Sequence, residues 1–170
     1  MKKPKPRIKL PPRDSDNDGR FLEPYPDPDL LARLKACARY GCYAKHKTAP
    51  HAFGLRAYSG PKGDHTRCDE HASFGKAKMA TIPRLLQRGI RARLIGPSAR
   101  LIWTVGDDGW IFEGRITNVG QDEYHGYPVR PSEAIAEPVY RRFSHWATDE
   151  GDNTDQAAAA RCRVMYGFQP

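Results

Sequence analysis

Cys37 and Cys42 are separated by four residues, Cys68 and His71 by two, and one loop joins the two pairs. A C-x4-C pair followed by a C-x2-H pair is what a tetrahedral zinc ion requires, because each short pair curls around the metal from one side. Such a tie constrains the fold more than any other feature of the chain, since it fastens two remote pieces of backbone to each other. Four protein ligands leave no coordination position for a water, so the zinc is expected to be structural. Its binding free energy would then act as folding free energy, on the order of 10 kcal/mol. Nearby Lys and Arg side chains favour the thiolates that bind metal. His46, His51 and His65 are alternative ligands, whereas Cys162 stands alone in a helical pattern and reads as a core residue.

A staple of this kind suits the composition. The chain has 170 residues, of which 39% are hydrophobic, with fifteen Pro and fifteen Gly to interrupt regular elements. The mean hydropathy is −0.73, so the core is expected to be modest and a metal tie would support it. The sequence has no apolar run near the length a bilayer demands, which predicts no membrane span. The stretch Met1 to Leu10 is basic and lacks the apolar centre of a secretory signal. Cysteines spaced as metal ligands fit a reducing, cytoplasmic compartment better than a disulfide framework.

Charge is distributed in blocks. Residues 1–13 hold six Lys/Arg and no acid, and residues 14–30 hold one Arg against six acids. Residues 31–100 carry fifteen Lys/Arg against three acids, whereas residues 101–170 carry six against eleven. The positive field therefore belongs to the zinc-candidate region and the N-terminal arm, and a field of that sign attracts polyanions, nucleic acid above all. The expected phosphate ligands are Lys45, Lys47, Arg56, Lys62, Arg67, Lys76, Lys78, Arg84, Arg88, Arg91 and Arg93.

The predicted fold class is α+β: a small zinc-stabilised helical module joined to a β-hairpin and small antiparallel sheet packed by C-terminal helices. Residues 1–26 read as a flexible arm, basic and then acidic, residues 27–90 as the zinc module, and residues 91–170 as the α+β domain. Within the arm, Asp14 to Gly19 has the D-x-D-x-D-G opening of a calcium loop, but Tyr25 occupies the position of the bidentate Glu, so an Asp-rich turn is the simpler reading. Asp27-Pro28 begins a helix that should end near Arg39 with Gly41 as its C-cap. A helix is expected from Cys68 past Phe74 and Met79, and a second from about Pro83 to Arg88, closed by Gly89. Ala99–Val105 and Trp110–Thr117 flank a Gly-Asp-Asp-Gly turn and predict a hairpin. Arg91–Ile95 and Tyr127–Val129 are candidate further strands. Ser132–Ala147 and Ala157–Tyr166 read as helices, the first kinked or restarted at Pro138 and the second stopped by Gly167.

The run from Cys37 through Pro50–Gly54 (PHAFG) to Cys68 and His71 resembles a cysteine-rich zinc repeat of brown-algal developmental regulators and large algal viruses. The resemblance covers about residues 37–79, with a longer central loop and a single copy. It implies a zinc module and an interaction with nucleic acid or protein, and it does not extend to the β-rich half.

These features predict a non-catalytic nucleic-acid-binding protein that contacts the phosphates of DNA or RNA. The motifs of zinc deaminases, H-E-x-x-H proteases and nucleotide-binding loops are absent from the sequence. Two alternatives belong to other classes. One is a protein-binding inhibitor or adaptor, of the kind found in mobile elements, that works through the acidic C-terminal half. The other is a metal-independent ribonuclease in which Glu113, Arg115 and His125 divide the roles of base, phosphate clamp and acid. Residues two apart on a strand share a face, which would let Glu113 and Arg115 project together.

Overall fold

The Asp27 carboxylate accepts a hydrogen bond from the Asp29 amide at 2.8 Å and Pro28 follows it, so the first helix starts where its cap predicts. In the computed structural model, which describes residues 20–61, 67, 69, 76–118 and 120–170, this helix, α1, spans Pro28–Cys37. It ends earlier than expected because Arg39–Tyr40 leaves as a short strand, β1, that pairs in parallel with Glu123 and Tyr124. Gly41 is therefore not a helix cap; its amide donates to the Tyr124 carbonyl at 2.7 Å and extends the ladder.

The second helix, α2, spans Ile82–Arg91 and runs through Gly89 rather than stopping there. The reason is steric. A Cβ on Gly89 would lie 2.1 Å from the Trp103 carbonyl oxygen, so this glycine lets the helix backbone rest directly on a strand. The segment ahead of α2, expected as a helix from Cys68, is a 3-10 turn over Lys76–Thr81 in its described part. The strand expected over residues 91–95 reduces to one bridge, between Ile95 and Ile102.

Leu101–Val105 (β2) and Ile111–Asn118 (β3) form the predicted hairpin, whose turn closes with Gly109 in left-handed backbone at φ 92°. Glu123–Pro128 (β4) pairs antiparallel with β3 and begins earlier than predicted. The sheet order is β1-β4-β3-β2, and the parallel edge strand makes it mixed rather than wholly antiparallel. Ala136–Asp149 (α3) carries Pro138 in its first turn, where the missing amide costs no hydrogen bond and no kink is needed. Asn153–Tyr166 (α4) opens with a capping box between Asp152 and Asp155 and stops at Gly167 with φ 72°.

Alternate residues of the strands send side chains to opposite faces, and helices cover both. Trp103, Val105 and Ile111 pack with Val139, Phe143 and Cys162 of α3 and α4. Ile102 and Tyr124 pack on the other face with Leu34 of α1 and Leu86 and Ile90 of α2. The Tyr166 hydroxyl pins α4 to the sheet by donating to Val129 O at 2.6 Å and accepting from Ile111 N at 3.0 Å. The domain boundary expected at residue 90 thus falls inside a helix whose apolar side is buried on β2, and β1 shares the sheet with β2–β4. Among the described residues no helix is long and apolar enough to cross a membrane.

Candidate nucleic-acid interface

The cations expected to meet phosphate divide into two groups once their neighbours are known. Arg88 is 1% exposed; its Nε lies 2.7 Å from Asp155, and its Nη1 lies 2.9 Å from Asp107 and donates to Val105 O at 2.7 Å. It is an internal strut between α2, the hairpin turn and α4, not a surface cation, which corrects its expected role. Arg84 is bonded to Asp107, Lys78 meets Asp108 at 3.0 Å, and Arg93 meets Glu150 at 3.6 Å. The Asp107-Asp108 turn thus draws in cations that the composition had assigned to the basic field. Burial would raise the Asp107 carboxyl, but Arg84 and Arg88 outweigh it and hold the pKa below the ordinary value.

For Lys45, Arg56 and Arg91, in the second group, no carboxylate partner is found among the described residues. Lys45 is exposed, with its ammonium 6.0 Å from the centre of the Tyr58 ring, and Arg56 is exposed and makes no ion pair with any of the described residues. Arg91 lies over Trp146 at 5.4 Å. Arg67 donates to the Lys47 carbonyl at 3.4 Å, while Lys47 itself is buried. Lys62 and the side chain of Lys76 lie outside the described residues.

Lys45 and Arg56 belong to one acid-free stretch. Residues 43–61 contain no Asp or Glu, and they interleave those cations with Tyr43, Phe53 and Tyr58. Two 3-10 turns, Ala44–His46 and Pro50–Phe53, give the stretch its shape, and Gly54 reverses it at φ 73°. The Asp69 carboxylate ties the turns together by accepting from the amides of Thr48 at 2.7 Å and Ala49 at 3.0 Å. Its burial works to raise its pKa, and those two amides reverse the sign and hold it below the ordinary value.

Of the expected zinc ligands, Cys37 ends α1 and Cys42 follows β1, and both are free thiols, exposed and half-buried respectively. Cys68, His71 and His65 lie outside the described residues, as do the Asp14–Gly19 loop and the side chain of His46. Both sulfurs are accessible to a metal ion. Cys162, by contrast, is fully buried in the α4 packing and burial pushes its thiol up to about 12, so it is the core residue the sequence predicts.

Glu113, Arg115 and His125 lie on neighbouring positions of β3 and β4. Arg115 and His125 are cross-strand partners on β3 and β4, and Arg115 Nε donates to Glu113 at 2.8 Å. His125 Nδ1 lies 3.0 Å from the Thr117 hydroxyl. Glu113 is, however, completely buried and saturated: Arg20, Arg115, the Trp103 indole at 2.9 Å and the Tyr127 hydroxyl all donate to it. Burial alone would raise its pKa, yet Arg20, Tyr127 and Arg115 prevail and keep it below the ordinary carboxylate value. A carboxylate so enclosed anchors its neighbours and cannot reach a substrate hydroxyl, so Glu113 does not serve as the general base of a ribonuclease. The anchoring role was invisible in the sequence because Arg20 is ninety-three positions away. Comparison with protein-family models, curated proteins and solved structures finds no match for this chain.

Proposed function

We propose that the protein binds nucleic acid, DNA or RNA, through phosphate contacts made by residues 43–61 and the cations flanking them. The observation that carries this reading is the contrast within the basic region. Lys78, Arg84, Arg88 and Arg93 are neutralised by carboxylates, while Lys45 and Arg56 sit exposed in a stretch that holds no acid. Exposed Tyr43 and half-buried Tyr58 supply ring faces on which bases stack, and stacking of that kind tolerates any sequence. Arg67, Lys62 and Lys76 extend the charge from the adjoining segments, and Arg91 adds to it from α2.

Zinc, held by Cys37, Cys42, Cys68 and His71, is proposed as the tie that gives this stretch a fixed shape. Bound there, the metal supplies a structural crosslink and no reaction. The test of the binding reading is the affinity for single-stranded DNA and RNA between about 50 and 300 mM salt, which should fall steeply as counterions compete for the phosphates. An affinity independent of salt for both polymers rejects it.

A further inference from the structure

A cavity of about 60 Å³ lies between α2 and the sheet face opposite α3 and α4. A single water needs about 10–15 Å³ by the same measure, so several ligand atoms fit. Ile82, Leu85 and Leu86 form its roof. Its floor is the pair Gly114 and Gly126, directly opposed across β3 and β4, where the missing side chains leave a flat patch of backbone.

Tyr40, Lys47, Thr104 and His125 are among the polar residues that border this apolar space, and Lys47 and Thr104 are the two whose polar atoms are least satisfied. Lys47 is 3% exposed; its ammonium lies 3.1 Å from the Tyr40 hydroxyl and 4.5 Å from the centre of the Phe53 ring, and no carboxylate pairs with it among the described residues. One hydroxyl and two ring faces, Phe53 and, at 5.8 Å, Tyr40, replace only part of the hydration an ammonium loses on burial, so the site retains a demand for negative charge. Thr104 is 8% exposed, and its hydroxyl is buried without a hydrogen-bond partner. A buried cation with no counter-ion among the described residues and a buried hydroxyl lacking a partner are both costly, and here they line the same cavity.

We infer that this cavity is a binding site for a carboxylate carried on a small apolar group, with Lys47 and Thr104 meeting the carboxylate and the Gly114–Gly126 floor and α2 roof meeting the apolar body. One ammonium and one hydroxyl match a monoanion. A phosphate dianion is ordinarily met by more charged or amide donors than these. The inference stands apart from the nucleic-acid reading, which uses exposed Lys45 and Arg56, whereas Lys47 and Thr104 are buried.

Butyrate and benzoate, titrated into the full-length protein at constant ionic strength, test it by amide chemical shifts. The expected result is perturbation centred on Thr104, Gly114 and Gly126, with each carboxylate binding at least about tenfold more tightly than its neutral amide, as a charge-assisted bond requires. Lys47→Met should abolish that preference. Thr104→Val is the second variant in case Lys47→Met fails to fold; it should weaken carboxylate binding while raising the Tm of the ligand-free protein. Equal binding of carboxylate and amide, unchanged carboxylate binding in either variant, shifts elsewhere in the protein, or binding of inorganic phosphate but not of carboxylates would each overturn the assignment.

Discussion

Arg20 reaches across ninety-three positions of sequence to bring its guanidinium 2.7 Å from the Glu113 carboxylate, with both side chains almost wholly withdrawn from solvent. Removing Glu113 takes away one of two buried carboxylates on Arg20, which keeps Glu133 at 2.8 Å, so the loss is at or below about 3 kcal/mol, the lower end of what stranding a buried charge costs. Glu113→Gln should therefore lose stability of that order in urea denaturation. Because the folded carboxyl holds its proton less tightly than an unfolded one with its ordinary value of 4.5, the stabilisation is complete above that pH and disappears as pH falls through the lower folded value. The difference between wild type and variant should thus shrink below about pH 4.5; a difference that stays constant into acid contradicts the linkage.

Gly89→Ala sets two effects against each other. Alanine is the better helix former by about 1 kcal/mol. The new methyl, however, meets the rigid Trp103 carbonyl at 2.1 Å, and overpacking of a fixed backbone costs about 1–3 kcal/mol or more. The clash should prevail, giving a lower denaturation midpoint with the far-ultraviolet helix signal retained. A gain in stability would mean that α2 does not rest on β2 as described.

Lys45→Ala and Arg56→Ala should each reduce the salt slope of nucleic-acid binding by about 1, with similar losses for different base sequences. Arg84→Ala should leave both slope and affinity nearly unchanged, because Asp107 already neutralises that guanidinium. Fluorescence anisotropy with labelled single strands separates the two groups. If Arg84→Ala weakens binding as much as Arg56→Ala, the interface lies on the α2 and hairpin side instead.

Native mass spectrometry should find one zinc per chain, lost in Cys37→Ser and in Cys42→Ser and kept in Cys162→Ala. Chelation should lower the Tm, since metal binding of this type is linked to folding. Metal-free protein that melts at the same temperature as purified material would remove zinc from the account.

What could be read from the sequence was what depends on neighbours along the chain. Asp27-Pro28, the Gly-Asp-Asp-Gly turn and the Gly167 stop act locally, and each sits where its chemistry predicts. The errors came from long-range pairing. Arg39 and Tyr40 left a helical pattern because β4 offered them a ladder, and Gly89 looked like a stop because the Trp103 carbonyl beneath it cannot be foreseen. The site was legible to the same degree. Clustering of Lys and Arg was evident, but their neutralisation by Asp107, Asp108 and Asp155 depends on which turn folds against which helix. Arg115 does bond Glu113 and stands opposite His125, as their strand positions implied, and only the arrival of Arg20 and Tyr127 showed that the carboxylate is enclosed.

The two-residue strand β1 has a protective effect out of proportion to its length. Without it, β4 would be an outer strand with bare amides and carbonyls, the template on which neighbouring molecules stack into fibrils. Arg39, Tyr40 and Gly41 occupy that rim, and the exposed Arg39 side chain pairs there with Glu123 of β4 at 3.2 Å. A fragment beginning at Ile82 would keep every other strand yet lose this guard, and it should self-associate where the longer chain stays dispersed.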